Sequence, residues 1–170
     1  MRRGAFTLLE VVIALGVFAV GVVGVLALLP ALARESAEAG DGRIARGFPA
    51  ALHAELRRLA DSGGFDSLAA RTTTLNPRLT GGLAFVASRS GTEVQSLDYL
   101  PPSGERIPEA GHYFLIEVWR FPSPPLAYAA GGAVLPLHVQ VSWPHRTPGN
   151  AAVVPAAERA RFTFNTAISR

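Results

Sequence analysis

From Val11 to Ala33 the chain carries no charged residue. As a helix, these ~23 residues span about 35 Å at ~1.5 Å per residue, enough to cross a bilayer core of roughly 30 Å. Val, Leu, Ala and Gly dominate the run, and no polar side chain interrupts it from Val11 to Leu29. Arg2 and Arg3 precede it, so the positive-inside rule puts the N-terminus in the cytoplasm and the rest of the chain outside. Glu10 is the odd residue, because a carboxylate deep in a bilayer costs about 2.5–3.5 kcal/mol on insertion scales and less near the interface.

Three readings compete for this segment. Ala31-Leu32-Ala33 has the A-x-A form of a signal-peptide cleavage site. A signal peptide's apolar region is normally about 7–15 residues, however, and this run is far longer. A plain uncleaved anchor explains the length but gives Glu10 no role. The third reading gives it one. Gly4-Ala5-Phe6-Thr7-Leu8-Leu9-Glu10-Val11 resembles the processing motif of type IV pilins and of the pseudopilins of type II secretion. In that family a short basic leader is cut before a Phe, the new amine is methylated, and a Glu is kept at the fifth mature position. The resemblance implies cleavage between Ala5 and Phe6, N-methylation of Phe6, and Glu10 as that fifth-position carboxylate. Ala5 stands where the family usually has Gly. Cleavage after Gly4 would instead leave Glu10 at the sixth position. The resemblance further implies that Glu10 meets the Phe6 amine of a neighbouring subunit and sets their axial register, as a buried polar residue sets register in a coiled coil. A carboxylate buried in a filament needs such a cation.

Beyond Pro30 the pattern becomes amphipathic. Ile44, Phe48, Ala51, Leu52, Leu56 and Leu59 recur at threes and fours, the spacing of one helical face. Gly40, Gly42, Gly47 and Pro49 weaken the middle, so a kink or short break is expected there. Ser62-Gly63-Gly64 stops the helix. Residues 65–81 lack a clear period and read as a loop, with a helical turn at 65–70.

The period then becomes two. Leu83, Phe85 and Ala87 alternate with Ala84, Val86 and Ser88, Ser90-Gly91 signals a turn, and 92–97 return. His112 to Phe121 is apolar on both faces, as in a central strand. Residues 135–143 and 160–168 each alternate with one apolar face. Strands joined by turn-rich loops without intervening helices indicate an antiparallel sheet. The expected fold class is therefore α+β: a long N-terminal helix packed on a C-terminal antiparallel sheet of four or five strands, as a meander and pilin-like in layout. The expected organisation is a cleaved leader over 1–5, a transmembrane and filament-core helix over 6–33, an amphipathic half over 34–62, and a sheet domain with variable loops over 63–170.

No catalytic constellation stands out. His53, His112, His138 and His145 have no metal-ligand spacing, and Asp61, Asp66 and Asp98 are isolated, so neither zinc nor calcium is expected. His138 reads as a solvated strand histidine. No cofactor is expected, there is no phosphate-binding loop or nucleophile elbow, and the chain reads as a non-enzyme. All sixteen basic residues are arginine, and without Arg2 and Arg3 the net charge of +3 falls to about +1, so the high pI does not argue for nucleic acid. A stacking platform of Trp119, Phe121, Tyr128 and Trp143 with Arg120 and Arg146 is the weaker alternative to sheet packing. Cysteine is absent, so the disulfide-closed loop of many major pilins is missing. That favours a minor pilin or pseudopilin. The resemblance implies prepilin peptidase, other pilin-like subunits and inner-membrane lipid as partners. The rivals are a membrane-anchored periplasmic binding domain that never polymerises, and a secreted enzyme.

Overall fold

The computed structural model describes residues 7–79, 81–98, 101, 104–147, 149 and 151–170. It divides into two units, 1–40 and 41–170. Helix α1 runs over Leu8–Gly63. In the first unit its residues 8–33 are exposed on every face. Its best 18-residue window has a mean hydropathy of 2.9, long and apolar enough to cross a membrane.

The second unit is a helix-on-sheet layer. Strands β1 (Leu83–Ala87), β2 (Val94–Ser96), β3 (Phe114–Arg120), β4 (Val134–Trp143) and β5 (Ala160–Ser169) form one antiparallel sheet. Its order is β2-β1-β3-β4-β5. This is not the simple meander that chain order suggests. The β1–β2 hairpin is placed so that β1, not β2, pairs with β3. The five residues of β1 pair fully with β3, with Phe85 opposite Ile116, whereas β2 offers only three residues and stays at the edge. That arrangement buries the more apolar strand of the hairpin.

From Asp41 on, α1 lays Ala45, Phe48, Leu52, Leu56, Leu59 and Ala60 on the sheet. They meet Leu83 and Phe85 of β1, Phe114, Ile116 and Val118 of β3, and the apolar face of β4 from Leu135 to Trp143. Phe48 and Phe114 meet edge to face at 4.9 Å, a favoured aromatic geometry. Ile44 is half-buried and Ala51 is exposed, so the buried face passes through Ala45 and leaves Ala51 outside. The short break expected between Gly40 and Pro49 is absent, for α1 is helical throughout. A helix-interior Pro costs about 3 kcal/mol. Burying Phe48 and Leu52 on either side contributes roughly 1.5–3 kcal/mol each, enough to offset it.

Gly64 follows α1 at φ 88°, a backbone angle that favours glycine, and its N–H donates to Ala60 C=O at 2.9 Å. The helical turn expected after it is a short helix, α2 (Phe65–Arg71), which buries Phe65, Leu68 and Ala69.

Two loops cover the sheet's outer face and bury residues that strand alternation leaves outside. Trp119 is fully buried, its indole so close under Gly82 that a Cβ there would stand 2.8 Å from it. Thr73–Leu75 pairs alongside Arg120, with Arg120 N–H donating to Thr73 C=O and Leu75 N–H to Arg120 C=O. Val86 is buried on the same outer face. Near it, the Gln95 amide donates to Glu105 C=O and accepts from Ile107 N–H.

Candidate functional site

The sequence places its site at the start of α1. Ala5 and Phe6, the expected cleavage and methylation positions, lie outside the described residues. From Thr7 onward the geometry is a reciprocal cap. The Thr7 N–H donates to Glu10 Oε2 at 2.8 Å, and the Thr7 hydroxyl donates to the same oxygen at 2.9 Å. The Glu10 N–H in turn lies 3.3 Å from Thr7 Oγ1. Thr7-Leu8-Leu9-Glu10 is thus a capping box, the S/T-x-x-E pattern that satisfies orphan N–H groups at a helix start. A carboxylate in the first turn also complements the positive end of the helix dipole. Glu10 is exposed in the single chain, so its carboxylate is both preorganised by Thr7 and open to a cation.

Around it the surface is apolar. Leu9, Val12, Ile13, Phe18 and Val22 are all exposed. Exposed apolar surface of this extent marks a membrane or protein contact.

In the second unit the charged groups serve packing. Asp41 is buried at 7% exposure and is held by three hydrogen bonds from two residues. The Tyr113 hydroxyl donates to its Oδ2 at 2.6 Å, and Arg89 donates to the two oxygens at 3.2 and 3.3 Å. Arg89 also lies over the Tyr113 ring at 5.0 Å. Burial, with the Asp41 hydrogen bond second, pushes the Tyr113 hydroxyl up to about 12. This clasp joins α1 to the β1–β2 turn and to the start of β3.

On the outer face, Glu117, Gln140 and Ser142 line a cavity of about 170 Å³ with Arg78, Arg159 and Arg161. Burial pushes the Glu117 carboxyl above its ordinary value, with Arg159 and Arg161 pulling it back. Burial, then the charges of Arg159 and Arg146, pushes the His145 imidazole down to about 4.

The four histidines are spread through the unit. His112 is buried, with Nε2 2.9 Å from Ile107 C=O. His138 is not the solvated histidine that strand alternation suggests. It is half-buried with Trp119 and Phe121 each 6.2 Å away, and its Nδ1 lies 2.9 Å from Asn165 Oδ1. The burial of Trp119 beneath Gly82 draws it in. Asp66 is engaged by the Tyr128 hydroxyl and by Arg170. Among the described residues, no group of three or more His, Asp or Glu is placed to hold a metal ion. Trp119 and Trp143 are buried and present no ring face to a base.

The model of the prokaryotic N-terminal methylation motif matches residues 1–26. No curated protein and no solved structure matched the chain. The N-terminal motif is thus the one that type IV pilin-like proteins carry, and the long apolar helix and five-stranded antiparallel sheet that follow it have a pilin-like layout.

Proposed function

We propose that the chain is a minor pilin or pseudopilin that works by assembly. It enters the inner membrane with its N-terminus cytoplasmic and its sheet domain periplasmic. Prepilin peptidase cuts between Ala5 and Phe6, and the Phe6 amine is methylated. The mature subunit then leaves the lipid to join a filament with other pilin-like subunits. In this reading residues 1–5 are the leader, 6–33 the filament-core helix, 34–62 its amphipathic continuation and 63–170 the displayed domain.

One observation carries the reading: the methylation motif at 1–26 runs directly into a helix whose apolar surface is open on every face and interrupted by one carboxylate. Moving that helix from lipid to a protein filament keeps its apolar side chains out of water. It also removes Glu10 from the interface, where water can reach it, and a buried carboxylate without a partner is strongly unfavourable. The Phe6 amine of a neighbouring subunit is the cation that the motif supplies. The capping contacts from Thr7 hold the Glu10 carboxylate for that encounter.

The test is intact mass and N-terminal sequencing of the protein from host membranes, paired with Glu10→Gln. The expected chain begins at Phe6 and is heavier by one methyl group. Glu10→Gln should remain membrane-inserted and processed but lose filament incorporation. A chain that starts at Met1, with neither the wild type nor Glu10→Gln found in filaments, would make this an anchor that never polymerises. A chain that starts at Arg34 would make it an exported domain.

A further inference from the structure

Polar side chains on the outer face of a sheet find a partner or face water. One group here does neither. Glu117 of β3 stands directly opposite Gln140 of β4, and Ser142, two residues further along β4, stands opposite Arg161 of β5. Together they line the cavity of about 170 Å³ on the outer face. Gln140 and Ser142 are more than nine-tenths buried, at 7% and 3% exposure. The Ser142 hydroxyl has no hydrogen-bond partner. Among the described residues, none bonds to the Gln140 amide or to the half-buried Glu117 carboxylate either. Buried polar groups in native proteins are nearly always paired, so three unpaired ones side by side call for an occupant that completes them.

The walls set its chemistry. The charges of Arg159 and Arg161 act on Glu117, yet neither closes on it: among the described residues, no guanidinium nitrogen lies within 4.0 Å of that carboxylate. Arg159 is held back by two hydrogen bonds to Val154 C=O at 2.8 and 2.7 Å, and Arg161 by one to Ala156 C=O at 2.7 Å. The cavity is the gap between an accepting wall and a donating wall of opposite charge. An anion placed there would lie against Glu117, and a cation against the arginines. A neutral molecule meets neither penalty, provided that its polar groups donate to one wall and accept from the other. Hydroxyl groups do both. Two neighbouring hydroxyls can donate to the two oxygens of one carboxylate, and an amide beside it can donate to and accept from the same pair. Pro77 and Leu79 supply an apolar side, where the C–H face of a ring can lie. The volume equals that of about six waters, the size of one sugar ring rather than of a chain.

We propose that this cavity binds a small neutral polyhydroxylated molecule, of the class of a single sugar ring. Its neighbouring hydroxyls donate to Glu117 and pair with Gln140 and Ser142, and Arg159 and Arg161 donate to its remaining oxygens. The site belongs wholly to the second unit and does not depend on whether the N-terminal helix polymerises.

The test uses the full chain in a polyoxyethylene detergent, whose headgroup carries no sugar. Saturation-transfer NMR measures binding of glucose, galactose, mannose, ribose and glycerol, with acetate and ethylamine as charged comparators of either sign. The expected result is that at least one hydroxylated probe binds and neither ion does. Glu117→Gln keeps the shape but replaces one accepting oxygen, and should weaken that binding about tenfold; Ser142→Ala should weaken it about threefold. Arg43→Ala, on the exposed face of α1, should leave it unchanged. Near-UV circular dichroism of the buried tryptophans checks that each variant is folded. No binding of any hydroxylated probe, binding that either site variant leaves unchanged, binding lost equally in Arg43→Ala, or tighter binding of acetate or ethylamine would each overturn the proposal.

Discussion

Replacing Tyr113 by Phe removes one oxygen from the clasp around Asp41, and the structure says what that oxygen contributes at each pH. Near neutrality the Tyr113 hydroxyl donates to a buried carboxylate at 2.6 Å. A hydrogen bond to a charged group contributes about 1.5–3 kcal/mol, and a half-exposed ring puts this one near 1.5. Burial first, and the Asp41 hydrogen bond second, push the hydroxyl up to about 12 from an ordinary 10.0, so the shift fixes the pH range over which the contact is lost rather than its strength. The folded value is the raised one. Its stabilisation is therefore complete below pH 10 and is lost as pH climbs from 10 to 12. The assay is urea unfolding of the full chain in nonionic detergent, followed by the near-UV circular dichroism of the two buried tryptophans. Wild type should exceed Tyr113→Phe by about 1–1.5 kcal/mol at pH 8, and the gap should close towards pH 12. Tyr128 also has a hydroxyl pushed up by Asp66, but it is present in both chains and cancels from the difference. A gap that is absent at pH 8, or that stays constant to pH 12, would refute the reasoning.

Two further outcomes follow from the packing. Gly91 sits at φ 67°, and a Cβ there would stand 2.3 Å from Ile44 Cγ2, so Gly91→Ala should cost about 1–3 kcal/mol from overpacking, measured in the same urea assay. Glu117 has a raised folded value, so what it contributes is intact below the ordinary carboxylate range and lost as pH rises past the raised one. Glu117→Gln should therefore be the more stable chain at pH 7, and its advantage should shrink on acidification.

The strands are legible because a half-buried strand must alternate. Phe114 to Arg120 and Val134 to Trp143 lie within a residue or two of their expected bounds. What alternation does not encode is which loop folds over the solvent face. Val86 and His138 therefore read as outward and are wholly or partly covered, because Gly82 and the segments 72–75 and 105–112 lie in the way, whereas Trp119, on a strand apolar on both faces, is buried as its sheet-packing reading expects. Strand order is hidden for a related reason. Chain proximity favours β2 beside β3, and only the loss of buried area for β1 argues otherwise. Asp41 gives no local signal, since its partners lie 48 and 72 residues away. The capping box is a different case. Thr7 and Glu10 carry the S/T-x-x-E spacing in plain view, and a role for Glu10 between subunits is compatible with a bond inside its own chain. The methylation motif is legible from residue identities alone, because its chemistry needs a particular amine and a particular carboxylate rather than a shape.

The turn between β1 and β2 also bears on where this molecule can change. Gly91 lies against Ile44 and Phe48, and Arg89 reaches Asp41, so residues 88–93 are gripped at both shoulders. Lengthening that turn would pull the helix away from the sheet. The connection between β3 and β4 has no such grip at its tip, where Ser123 to Leu126 are exposed. An epitope spliced in there should be carried at the surface with the core undisturbed, while the same epitope at Ser90 should unseat α1. The fold thus offers one place for novelty and closes another, and the difference is set by one glycine contact and one arginine contact rather than by the sheet itself.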